Sequence, residues 1–182
     1  MTPIHFARRI NALTEPAARL DALMPLLARF TFGAVLVLYF WASALTKLGD
    51  GIFGFLFPSA GAYVQIFPHA MENVGYDPSA LSLWHLAVVT AGTRAEFILP
   101  LTILIGLFTR LSALGMIGFI VVQSLTDLYG HGLSGDSKFI GGWFDRIPDA
   151  MLMDQRLLWI FPLIVLVIKG AGALSIDRAL MR

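Results

Sequence analysis

Residues Trp84 to Leu107 read WHLAVVTAGTRAEFILPLTILIGL. The stretch is long and apolar enough to cross a bilayer, which takes about 20 such residues. Yet it carries Arg94 and Glu96, with Pro100 four residues after the acid. An ionisable group at membrane depth is costly, so it faces a bundle interior and marks function. Proline has no N–H, so the carbonyl of Glu96 loses its usual intrahelical donor. A buried acid and a free carbonyl therefore share one level of one helix. The other helices are read as walls around that level.

Working outward, the composition agrees with a membrane chain. Of 182 residues, 57% are hydrophobic and 14% charged, and the mean hydropathy is +0.76. A soluble domain holds about 25% charged residues. The length suits one compact bundle, so residues 1–182 are read as a single membrane domain. The formal charge of +1 names no partner. No basic patch with interleaved aromatics points to nucleic acid. The absence of cysteine excludes disulfides, thiolate nucleophiles and iron–sulfur or Cys-zinc ligation. Redox work would then need a cofactor, a quinone or a partner's thiols.

The hydrophobic runs predict an all-α, four-helix membrane bundle with spans at about 26–48, 84–107, 111–129 and 154–170. Residues 1–25 suit either an amphipathic helix on an anionic surface or a loose tail. Residues 49–77 are too aromatic for a tether and too broken by Gly and Pro for a span. They predict short interfacial helices, as part of a first outer loop. Asp77-Pro78 is a helix-start signature for the second span. Phe108-Thr109-Arg110 reads as a tight turn, and Gly115 and Gly118 permit close helix approach. Residues 130–153 form a second outer loop, and Ser175 caps a short terminal helix. Trp84, Trp143 and Trp159, with Tyr63, Tyr76 and Tyr129, read as an interfacial belt. Trp41 reads as packing.

Basic residues set the orientation. With the N-terminus inside, the inner segments hold Arg8, Arg9, Arg19, Arg29, Arg110, Lys169, Arg178 and Arg182. The outer ones hold only Lys47, Lys138, Arg146 and Arg156. Both termini are expected in the cytoplasm.

Two constellations follow. Arg94 and Glu96 are about 200° apart on a helix, so they cannot share one cavity centre. Arg94 is expected to snorkel outward or meet a loop carboxylate. Glu96 has natural partners in Gln123 and Asp127 of the third span, and in Tyr39, Ser43 and Lys47, which line one face of the first. One reading makes Glu96, Asp127 and Lys47 proton-handling groups, with Tyr39, Ser43, Arg94 and Gln123 contacting a quinone. The other makes them a polar clamp that fixes helix register. Separately, His69, His85 and His131 all fall on the outer side. With Met71 beside His69, an outer metal site is conceivable, since imidazole and thioether suit copper.

Three blocks carry a family resemblance. They are Leu45-Thr46-Lys47-Leu48, the run from Arg94-Ala95-Glu96 through Gly106-Leu107-Phe108-Thr109-Arg110, and Gly170-Ala171-Gly172-Ala173-Leu174-Ser175-Ile176-Asp177. Together they resemble the DoxX family of small bacterial membrane proteins, over about residues 28–180. The resemblance implies a four-helix bundle in the inner membrane. It also implies a place in redox or stress-response systems, as in the membrane subunit of a thiosulfate:quinone oxidoreductase. The long outer loops depart from the compact family pattern and imply a role of the chain's own. Two other classes compete: a membrane anchor for an extracytoplasmic or membrane protein, and a small transporter or copper-handling protein.

Overall fold

The computed structural model describes residues 19–51 and 54–181. Most of the N-terminal amphipathic segment therefore lies outside the described residues. Four helices are long and apolar enough to cross a membrane: α1 (Leu20–Leu45), α4 (Leu83–Ile105), α5 (Thr109–Gly130) and α7 (Met151–Lys169). Short helices α2 (Ala60–Ile66) and α3 (Pro68–Asn73) follow α1. The short α6 (Ser137–Ile140) precedes α7, and α8 (Ile176–Leu180) ends the chain. No β-strand occurs among the described residues; Leu48 and Pro58 form one isolated antiparallel bridge. The protein is an all-α, multi-pass membrane protein.

The core follows from helical spacing. Phe32, Leu36 and Phe40 step by four along α1, so they share a face. They meet Ile103 of α4, Met116 and Ile120 of α5, and Leu163 and Leu166 of α7, all almost fully buried. The opposite faces are apolar and open, as at Leu38, Leu83, Leu111 and Leu158. In lipid such faces cost nothing, and packing rather than water exclusion holds helices together. Gly33 lets α1 approach α4 closely: an added Cβ would sit 2.9 Å from the Leu104 side chain.

Several expected boundaries shift. The first span begins near Leu20 rather than 26 and contains a π-helical turn at Gly33–Val37. Asp77 does cap a start, accepting from Ser79 N–H, but only of a 3-10 turn at Pro78–Ala80. The spanning helix begins five residues later, after Ser82. The tight turn lies at Gly106–Phe108, two residues earlier than the sequence suggests. Gly106 takes a left-handed φ of 72° and closes α4, and Thr109 already belongs to α5. The last span starts at Met151, through a π-helical turn to Gln155.

The end of the bundle next to the terminal helix α8 is closed by a clamp. Arg29 is buried in α1. Its guanidinium donates to the carbonyls of Ile103 and Leu104 at the end of α4, and of Ala171 and Leu174 in the tail. Asp177 accepts from the N–H groups of Phe108 (2.7 Å) and Thr109 (2.9 Å), so the tail caps the first turn of α5. Asp177 N–H in turn donates to Gly106 O at 2.8 Å. Ser175 caps α8 as expected, accepting from Arg178 N–H. The Gly-Leu-x-Thr-Arg block and the Gly-x-Gly-x-Leu-Ser-x-Asp tail thus meet here as two halves of one structural joint.

The opposite end is built differently. The chain after α1 turns back, and α2 and α3 form a small second core of Ala62, Tyr63 and Met71 against Val89 of α4. This layer stands over the space between α1, α4 and α5.

Candidate functional site

Glu96 is the fourteenth residue of α4, about 20 Å from its N-terminal start at 1.5 Å per residue. Its side chain is turned into the bundle and is 7% exposed. Lys47, just past the end of α1, reaches back to it: Nζ lies 3.0 Å from Glu96 Oε2. The same ammonium donates to Ser43 Oγ at 2.7 Å and Ser43 O at 3.2 Å. All three ammonium donors are therefore used, which is what a buried cation requires. The i, i+4 step from Ser43 to Lys47 makes this possible.

The turn before Pro100 is also met from α1. Trp41 Nε1 donates to Phe97 O at 3.2 Å, one residue past the carbonyl that Pro100 deprives of its donor. Trp41 is thus a hydrogen-bonding residue as well as packing. Trp159 is not part of a belt; it packs inside, against Tyr39 and Phe40.

A cavity of about 480 Å³ lies between α4 and α5 and under α2. Ser43, Lys47, Glu96, Gln123, Asp127 and His131 all line it. Small residues form its walls, with Ala91, Gly92 and Ala95 on α4 and Gly115 and Gly118 on α5. The two glycines differ. At Gly115 an added Cβ would press on Leu99 at 3.3 Å, whereas at Gly118 it would meet open space. Gly115 therefore allows the helices to touch, and Gly118 keeps the cavity open. Ala91, Gly115, Gly118 and Val122 are exposed, so the cavity opens sideways toward the apolar surroundings.

The remaining candidates divide. Gln123 donates to Tyr39 Oη at 3.2 Å, and that link joins α5 to α1. Asp127 does not pair with Glu96 or Lys47. It pairs with Arg156, a nearly fully buried residue of α7 that sequence reasoning left in an outer count. Asp127 sits in a π-helical turn at Thr126–Gly130, and Arg156 directly follows another. Arg94 departs from the site, as the 200° argument requires. It meets no carboxylate; its guanidinium carbon lies 5.7 Å from the Phe55 ring centre.

The histidines do not gather. His131 donates to Gln65 O at 3.0 Å and His69 to Tyr129 O at 3.3 Å, which ties the α2–α3 layer to the end of α5. His85 shares a hydrogen bond with Ser82 and packs edge-on to Phe67. Among the described residues, no three His, Asp or Glu side chains are grouped so as to hold a metal. His69, His85 and His131, read from the sequence as an outer metal site, are each engaged in these separate contacts.

The fold and cavity define a class: a four-helix membrane protein with a laterally open, part-polar chamber. No family model, no curated protein and no solved structure matches the chain.

Proposed function

We propose that the chain is a DoxX-like subunit of a membrane redox or stress-response system, and that its cavity takes a quinone-type amphiphile. The observation that carries this is the cavity itself. Ligand sites are clefts of about 300–1,000 Å³ with mostly apolar walls and a few convergent polar groups. A lateral mouth of Ala and Gly suits a flat ring with an isoprenoid tail arriving from lipid. Glu96, Lys47 and Gln123 stand where ring oxygens would need partners. A quinone that accepts two electrons also accepts two protons, and Glu96 is placed to pass one. The electrons would come from a partner protein, since the chain has no cysteine to carry them. Lys/Arg asymmetry supports a bacterial inner-membrane setting with cytoplasmic termini.

The test is extraction and identification of quinone from the purified protein, followed by titration with ubiquinone or menaquinone. Wild-type chain is expected to retain quinone. Glu96→Gln is expected to stay folded and keep most binding, but to lose quinone-dependent turnover with its partner. Absence of quinone binding at any concentration rejects the reading. Unchanged turnover in Glu96→Gln reduces the pair to a register clamp.

A second reading, an anchor for an extracytoplasmic protein, has its own support. Trp143, Phe144 and Ile147 are all more than half exposed in the second outer loop. Co-purification of a soluble partner lost in Phe144→Ser would favour it.

A further inference from the structure

A second cleft, of about 730 Å³, lies at the opposite end of the bundle, beside the joint of tail and turn. Its walls include Arg110, Lys169 and Arg178. The carboxylate in it is Asp177, and both its oxygens are committed to the N–H groups of Phe108 and Thr109. Arg110 spends one N–H on Val167 O at 2.8 Å and keeps the rest of its fork. Gly170 makes room for that guanidinium: an added Cβ would sit 3.4 Å from Arg110 Nε. Lys169 is held at the edge by Asp21, 2.6 Å away, and Arg178 is exposed on α8. The rim is strongly apolar and open, with Phe108, Leu111, Leu180 and Met181 each about 67–79% exposed.

Cations converging above exposed apolar side chains fit one ligand chemistry: a phosphate carried on acyl chains. We propose that this cleft binds the headgroup phosphate of an anionic phospholipid, with the chains lying along Leu111 and Leu180. Basic pockets between spanning helices hold such headgroups, and arginine forks match phosphate geometry. The site needs neither the quinone reading nor a particular orientation, because either leaflet would present its headgroups at that level. Its consequence is a joint of α1, α4, α5 and the tail that lipid fastens from outside.

The experiment uses the full chain in a neutral detergent. Phosphatidylglycerol and phosphatidylcholine are added in equal amounts, and bound lipid is counted by mass spectrometry of the intact complex. Phosphatidylglycerol is expected to be retained over phosphatidylcholine and to raise the melting temperature. The variant Lys169→Gln/Arg178→Gln is expected to bind it about 25-fold more weakly, since each interfacial cation contributes about five-fold. Because Lys169 also holds Asp21, Arg178→Gln alone is the second variant, with a loss of about five-fold. Arg146→Gln, at the other end, is expected to bind as wild type. Equal retention of the two lipids overturns the proposal, as does wild-type retention in both variants. Stabilisation by inorganic phosphate alone, equal to that by phosphatidylglycerol, would mean a free-anion site and overturns the lipid assignment.

Discussion

The two ends of the bundle use charge in opposite ways. At the end beside α8, Arg29 is satisfied by backbone carbonyls and Asp177 by backbone N–H groups. Charge there holds the main chain. In the opposite half, Lys47 faces Glu96 and Arg156 faces Asp127. Charge there meets charge across helices, and three of the four groups line the same cavity as Gln123 and His131. Backbone partners cannot change protonation state, whereas side-chain pairs can. The first arrangement suits assembly and the second suits chemistry.

The contrast can be broken by substitution. Arg29→Met is expected to have the largest effect. Hydrogen bonds to a charged group are worth about 1.5–3 kcal/mol each, and several buried acceptors would be orphaned together. A loss of about 3–5 kcal/mol in detergent unfolding is expected, with quinone retention per folded molecule unchanged. A cavity defect without loss of stability would erase the distinction between the ends.

Glu96→Leu comes next, at about 3 kcal/mol or more, because it leaves Lys47 buried and unpaired. Glu96→Gln preserves an acceptor for Lys47 and is expected to cost about 1 kcal/mol. Equal unfolding midpoints for Leu and Gln would show that the pair contributes nothing to the fold.

Asp177→Asn should cost about 1 kcal/mol, the scale of a lost helix cap. It also has a pH signature. Burial pushes the Asp177 carboxyl up, but the hydrogen bonds from Thr109 and Phe108 and the charge of Arg29 outweigh it and hold it below the usual range. A carboxyl lowered on folding stabilises above its unfolded value, and that stability fades as pH falls from about 4 through the folded value. Melting temperature measured across that window should fall more steeply for wild type than for Asp177→Asn. Parallel curves would remove Asp177 from the joint.

The smallest effect on stability belongs to Gly118→Leu. Nothing stands within 4 Å of the added Cβ, and replacing a mid-helix glycine gains about 0.5–1 kcal/mol. The melting point should hold or rise slightly while quinone retention falls, because the side chain fills the cavity. Gly115→Leu, pressed against Leu99, should instead lose stability.

Much of this was legible in the chain. Glu96 had to turn inward on cost alone, and the i, i+4 step through Ser43 and Lys47 placed its partners. The 200° offset separated Arg94 from it. Arg156 was missed because its partner Asp127 lies 29 residues away on another helix, at π-helical turns that local patterns do not announce. Arg29 was missed for a different reason. It was counted for topology, although it sits inside an apolar run, and the rule that singled out Glu96 applies to it equally. The role of Asp177 had no local signal at all, since it caps a helix that begins 68 residues earlier.

That last separation has a consequence in time. The turn at Gly106–Phe108 leaves the ribosome 69 residues ahead of the aspartate that completes it. At synthesis rates of about 5–20 residues per second, the wait is roughly 4 to 14 s. During it, α4 and α5 can enter the bilayer as a hairpin whose bend is still open and able to slide. The hairpin is locked only when the last span has been inserted and the tail folds back, so biogenesis of this bundle finishes at its C-terminal end.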